Sequence, residues 1–222
     1  VDAKKDKLIK PTDSLNGVPR EPDAIAWIDD EHLATANEGD WKGGSRGWSV
    51  FDSSGKVVWD AGSSIEDIAN RYGLHNNKRA EKKGPEIEGI ATATMNGTRY
   101  AFVGSERSNF VAVYNVDNPA EPEFVQLLFT TNGPEGILPV ENRNMLLVSS
   151  EVDEAENGVR SAVNVYQLSD KKDPQPSIVA DKSELGFSAL GALTAHPTDA
   201  KTLYAASDSA LAEGRVLSLI HI

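Results

Sequence analysis

The chain has 222 residues, with 22 Lys and Arg against 34 Asp and Glu, for a formal net charge of −12. That acid surplus argues against a nucleic-acid backbone or an anionic membrane surface as the main partner. No apolar stretch approaches the roughly 20 residues that span a bilayer. The absence of cysteine excludes disulfides, thiolate metal sites and cysteine nucleophiles.

In chain order, residue 1 is Val and nothing after it reads as a signal peptide. From residue 21 onward, four segments repeat. Their first runs are Asp23-Ala-Ile-Ala, Glu88-Gly-Ile-Ala, Glu135-Gly-Ile-Leu and Gly191-Ala-Leu-Thr. Second runs follow as LATANE (33–38), AFVGSE (101–106), LLVSSE (146–151) and LYAASD (203–208). Third runs are GWSVFD (47–52), FVAVYNV (110–116) and SAVNVYQL (161–168), and fourth runs KVVWD (56–60), EFVQLL (123–128) and SIVA (177–180). Short β-branched and aromatic runs bounded by Gly, Asn, Asp and Pro are strand signals. Asn96-Gly97 is the favoured two-residue hairpin turn, which explains Asn96-Gly97-Thr98 better than a glycosylation sequon does.

The acid closing the second run recurs at 38, 106, 151 and 208, and its middle interval suits the about 40–45 residues of a four-stranded propeller blade. Residues 61–84 lengthen the first interval. Within them, Ser64 followed by Ile65, Ile68, Ala69 and Tyr72 predicts a capped helix ending at Gly73. The run from Asn76 to Lys83 reads as a solvated loop, with a basic partner-binding patch as the alternative. The third interval is lengthened by an acidic loop (152–160) and a linker (169–176) punctuated by Pro174 and Pro176. The expected architecture is all-β: a β-propeller fragment of four-stranded antiparallel blades near 21–60, 85–128, 133–180 and 189–216, with a helical insertion near 64–73. Residues 217–222, Leu-Ser-Leu-Ile-His-Ile, match the translation of a sequencing-adapter sequence. They are read as a scar, or else as the end of an apolar strand from Val216 to Ile222. Either reading is that of a fragment, incomplete at both ends.

These motifs carry a resemblance. PDAIA (22–26) with TANEGD (35–40), EIEGIA–RYAFVGSER–FVAVYNV–NPAEPEFVQLL (86–128), GPEGI–LLVSSEVDEAENGVRSAVNVYQL (133–168) and GALTAHPTDAKTLYAASDS (191–209) resemble the choice-of-anchor I and esterase-like-activity-of-phytase group of β-propeller proteins. The match runs from about Glu21 to Asp208 and departs at Ile87, where proline is expected. The resemblance implies a secreted, periplasmic or cell-surface bacterial protein. It also implies a phytase-like or esterase-like hydrolase of a small phosphoester or ester, dependent on a divalent metal. The alternative is a non-catalytic cell-surface propeller that binds partners or serves as a scaffold.

In a propeller, equivalent points of the blades ring a common axis. Asp23, Glu88 and Glu135 would then gather at one level, and Glu38, Glu106, Glu151 and Asp208 at another. Carboxylates so crowded need cations, shared protons or hydrogen-bond donors, and their hard oxygens suit a divalent metal, calcium first. Each could instead simply accept backbone N–H bonds at a strand end. Arg46, Arg107 and Arg160 each precede a third run and could hold a substrate phosphate or pair with neighbouring acids. Asp153 to Gly158 partly matches a calcium loop, but Ala155 stands where a ligand belongs. Gly43-Gly44-Ser45-Arg46-Gly47 matches G-x-S-x-G by chance, since a strand follows it. His32, His75, His196 and His221 show no zinc spacing. Trp27, Trp48 and Trp59 are read as blade core, and Trp41 as the one indole that could line a ligand site.

Overall fold

The computed structural model describes residues 1–170 and 177–220. Pro174, Pro176 and His221 lie outside the described residues. Among those described, the strands form four antiparallel sheets, each threaded in simple up-and-down order. The first sheet is β1 (Pro22–Trp27), β2 (His32–Asn37), β3 (Gly47–Asp52) and β4 (Val57–Asp60). The second is β5 (Ile87–Met95), β6 (Thr98–Ser105), β7 (Phe110–Asn115) and β8 (Glu123–Phe129). The third is β9 (Pro134–Val140), β10 (Met145–Ser150) and β11 (Ala162–Gln167), and the fourth β12 (Leu190–Ala195), β13 (Thr202–Ser207) and β14 (Val216–Ile220).

Local chemistry sets these boundaries. Asn96 and Gly97 turn β5 into β6 with φ of 49° and 81°, the paired positive values of a type I′ hairpin. Between β3 and β4, Asp52 Oδ1 accepts N–H bonds from Ser54 and Lys56 at 2.9 and 3.0 Å, closing that turn with a side chain.

The first three sheets stack as propeller blades. Inner strand β1 lies against β5, and β5 against β9. At the first seam Trp48 packs on Trp59 and on Tyr114 of the next blade, with ring centroids 4.6 and 4.9 Å apart. At the second, Phe102, Val111 and Val113 meet Leu146 and Val148. The far face of the third sheet leaves Leu138, Val163 and Val165 exposed, and the fourth sheet likewise exposes Leu193, Val216 and Ile220. The molecule is an open segment of a β-propeller.

Helix α1 (Ser64–Arg71) occupies the expected insert, with Ser63 rather than Ser64 as its N-cap. Ile65, Ile68 and Ala69 face the first seam's core. Two readings need correction. SIVA (177–180) is not a strand: the Ala180 N–H bonds Arg71 O at 2.6 Å and Arg71 Nε returns to Ala180 O at 3.1 Å. This segment crosses the helix instead of edging the third sheet, so among the described residues the third sheet has three strands. Trp27 is 58% exposed, because it stands with Ile25 on the outer face of β1, away from the seam with β5. Leu217 to Ile220 pair in the β13–β14 ladder, as the strand alternative for that segment supposes.

Candidate functional site

Each blade enters its inner strand by the same backbone device. The residue before the strand is left-handed: φ is 44° at Glu21, 48° at Glu86, 69° at Gly133 and 47° at Ala189. One step into the strand the register slips. Asp23 is the extra residue between the pairs Pro22–Asn37 and Ala24–Ala36, and Glu88 between Ile87–Ser105 and Gly89–Gly104. Glu135 with Gly136 faces Ser149 alone, and Gly191 is the extra residue in the fourth blade. A bulge re-aims the side chain it carries, here towards the axis.

The acids closing the second runs anchor this turn. Glu106, Glu151 and Asp208 donate their backbone N–H to Glu86 O, Gly133 O and Ala189 O at 2.9, 2.9 and 2.8 Å. Their side chains are thereby set beside the bulge.

The two levels of acids meet at the first and second blades. Carboxylate oxygens of Glu38, Glu86 and Glu88 lie within 4.8 Å of one another. Glu106 is buried, and its Oε2 finds no donor unless Glu88 carries a proton. Burial, with the hydrogen bond and like charge of Glu106 and then of Glu38, pushes Glu88 up to about 9. Glu88 is therefore a neutral acid at pH 7 and can share its proton with Glu106, which burial also raises.

Three cations reach the same cluster. Arg107 bonds Glu86 at 3.0 Å and Glu106 at 2.8 Å. Arg79 pairs with Glu86, and Lys83 with Glu38, with Asp40 at 3.3 Å and with Glu86 at 3.9 Å. The stretch from Asn76 to Lys83 is thus not a solvated loop. It docks Arg79 and Lys83 on the acids, because fully buried Glu86 needs partners. With Glu88 protonated, three carboxylates face three cations.

Asp23, Glu135 and Glu151 stand beyond that balance and are exposed. Partial desolvation, then the like charges of Glu38 and Glu21, raises Asp23. Partial desolvation, then Glu151 and Asp23, raises Glu135. Asp208 keeps to its own blade: its carboxylate lies against Gly191 and accepts the Ser209 N–H at 2.6 Å.

The arginines part company. Arg107 is in the cluster. Arg46, 4% exposed, bonds Asp2 O at 3.0 Å, Ala80 O at 2.7 Å and Lys82 O at 2.9 Å, and pairs with Glu66 at 3.5 Å. It clamps the N-terminal segment to the insert and is too committed to receive a substrate at the axis. Arg160 is exposed and pairs with Asp153 at 2.5 Å, away from the cluster. Loop 153–158 closes on itself through a Glu154–Val159 bridge. Ser45 donates to Arg20 O at 3.4 Å just before strand β3, with no helix behind it as an elbow requires. Trp41 is 58% exposed, with its backbone N–H on Glu21 Oε2 at 2.8 Å and the Lys42 ammonium 4.6 Å from its ring.

Sequence reasoning missed Glu86, Lys83 and Arg79. The signal for Glu86 was present: Glu21-Pro-Asp23 aligns with Glu86-Ile-Glu88, so the residue two before each bulged acid repeats in the first two blades.

Fold and site together define an open β-propeller segment whose blade entries carry axial carboxylates. Residues 42–119 match the model of the choice-of-anchor I domain, bearing out over that stretch the choice-of-anchor I part of the resemblance. No curated protein matches the chain. Among solved structures, a putative 6-phosphogluconolactonase from Bacteroides uniformis is similar at TM-score 0.45 and 18% identity, covering 90% of this chain and 52% of its own. The periplasmic gluconolactonase of Pseudomonas aeruginosa gives 0.38 and 14%, over 87% and 56%. Hydrazine synthase of Kuenenia stuttgartiensis gives 0.40 and 16%, over 94% and 52%. The chain spans about half the length of these structures, and none of the scores is high enough to bear on activity.

Proposed function

We propose that the parent protein is an extracytoplasmic, phytase-like or esterase-like propeller whose axial carboxylates hold a divalent cation, calcium first, for hydrolysis of a small phosphoester or ester. The observation that carries this is the convergence of bulge-borne Asp23, Glu88 and Glu135 with Glu38, Glu106 and Glu151 from three successive blades. The donor set fits the ion: hard oxygens only, three of them within 4.8 Å of one another. Those three belong to Glu38, Glu86 and Glu88. Glu86 is spent on Arg79, Lys83 and Arg107, so Glu38 and, once its proton leaves, Glu88 are the ligands of choice, with Glu106 beside Glu88. A bound cation would polarise the phosphoryl or carbonyl oxygen. The chain's own part is to fix the carboxylates through the bulges and to offer Arg107 beside them as a phosphate partner.

One observation favours the non-catalytic scaffold instead: Arg79, Lys83 and Arg107 already balance the inner carboxylates. Calorimetric titration of the whole protein with calcium, beside phosphate release from p-nitrophenyl phosphate and hydrolysis of its acetate ester, separates the two. The hydrolase reading expects saturable calcium binding, and turnover that falls with binding in the Glu106→Gln/Glu151→Gln double variant. Calcium affinity unchanged in that variant leaves these acids as strand-end acceptors.

A further inference from the structure

A second site lies off the axis, beneath the N-terminal segment. A cavity of about 290 Å³ opens between residues 13–18 and one end of the first blade, where Asn37 closes β2, Gly47 begins β3 and Asp60 ends β4. An apolar cavity of about 150 Å³ takes a bare six-membered ring; this one leaves room for the substituents of such a ring.

Its floor is polar and prepared. Thr35 Oγ1 donates to Asn37 at 2.9 Å, Asn37 Nδ2 to Ser49 Oγ at 2.9 Å, and Ser49 Oγ to Asp60 at 2.8 Å. This chain fixes the rotamers of Asn37 and Asp60. Arg46 lines the cavity with its guanidinium held on Asp2 O, Ala80 O and Lys82 O. The hydroxyls of Ser45 and Ser63 share the lining.

Charge selects the class of ligand. Each charged side chain in the wall already has its counter-charge, Asp60 with Arg20 at 2.9 Å, Asp13 with Lys4 at 3.4 Å and Arg46 with Glu66 at 3.5 Å, and the Val1 ammonium, which also lines the cavity, donates to Asp13 O at 2.9 Å. A second ionic group brought in would be desolvated with every side-chain charge in the wall already taken. A neutral molecule bearing several hydroxyls would meet donors and acceptors alike. The roof supplies an apolar surface for its ring face, since Leu15 and Val18 are half-buried and line the cavity. The roof is also lightly tied. Among the described residues, no backbone group of Ser14 to Val18 takes a backbone hydrogen bond, so the segment arches over the cavity held only near its ends.

We propose that this cavity is a binding site for a neutral polyhydroxylated ring of monosaccharide or cyclitol size, with residues 14–18 as its cover. The site is independent of the axial carboxylates and of any reaction there. Saturation-transfer NMR and calorimetry on the whole protein, with myo-inositol and D-glucose as probes and glucose 6-phosphate and glucosamine as charged controls, test it. The expected result is a dissociation constant of ~1 mM or tighter for a neutral probe, at least tenfold weaker binding of both controls, and loss of binding in Leu15→Trp, which fills the cavity. Val18→Trp makes the same test should Leu15→Trp not melt like the parent. No binding of either neutral probe, equal or tighter binding of a charged control, or binding unaffected in a well-folded Trp variant would overturn the proposal.

Discussion

The axial acids fall into two groups that differ in how their charge is met. At the first and second blades, Glu38, Glu86, Glu88 and Glu106 are half-buried or buried, and answered by Arg79, Lys83, Arg107 and a shared proton. Asp23 of the first blade and Glu135 and Glu151 of the third are exposed to solvent and lie outside that pairing. The same repeat position is therefore structural in one place and available in another. Burial decides which, because a desolvated carboxylate must be paired whereas a wet one need not be.

The strongest way to break this contrast is Glu86→Ala, which strips Arg79, Lys83 and Arg107 of their common partner. It should cost about 3–5 kcal/mol, read as a fall in the denaturation midpoint. Gly89→Ala comes next, since its Cβ would stand 2.8 Å from Glu135 O and 3.0 Å from Ile137 Cδ1 across the second seam. About 1–3 kcal/mol is expected from such overpacking, measured the same way. A pH series sharpens the comparison further. Glu88 titrates near 9 when folded and near 4.5 when unfolded, so the folded state binds more protons between those values. Stability should fall as pH rises from 4.5 to 9 and level off above. Glu88→Gln should flatten that slope, and an unchanged slope would place the titration elsewhere. Lys83→Met should raise calcium affinity several-fold by removing the competing ammonium, read by calorimetry. The smallest effect is expected from Glu135→Gln, within about 0.5 kcal/mol of the parent, because its carboxylate is wet.

Much of the fold could be read because hydrophobic alternation and turn chemistry are local. The runs 33–38, 47–52 and 110–116 fall on β2, β3 and β7, and Asn96-Gly97 makes the turn its φ preferences demand. SIVA (177–180) failed because β-propensity says nothing about whether a neighbouring edge is reachable, and here the chain was drawn across α1. In the site, repetition pointed to the bulged acids, since equivalent positions must recur around an axis. The roles of Arg79 and Lys83 could not be read that way. They come from an insert outside the repeat, and a basic run looks alike whether it is solvated or folded back on buried Glu86. Arg46 misled for a related reason: its partners are the carbonyls of Asp2, Ala80 and Lys82, which no side-chain pattern announces.

The bulge at each blade entry has an evolutionary consequence. A residue outside the ladder register neither pairs with a partner strand nor sets the alternation of those that follow. It can be exchanged without re-threading the blade, and this chain already holds Asp23, Glu88, Glu135 and Gly191 at that slot. The side chain at that slot is thereby free of the strand ladder, so duplicated blades can diverge there one residue at a time wherever, as at Asp23 and Glu135, the slot is exposed.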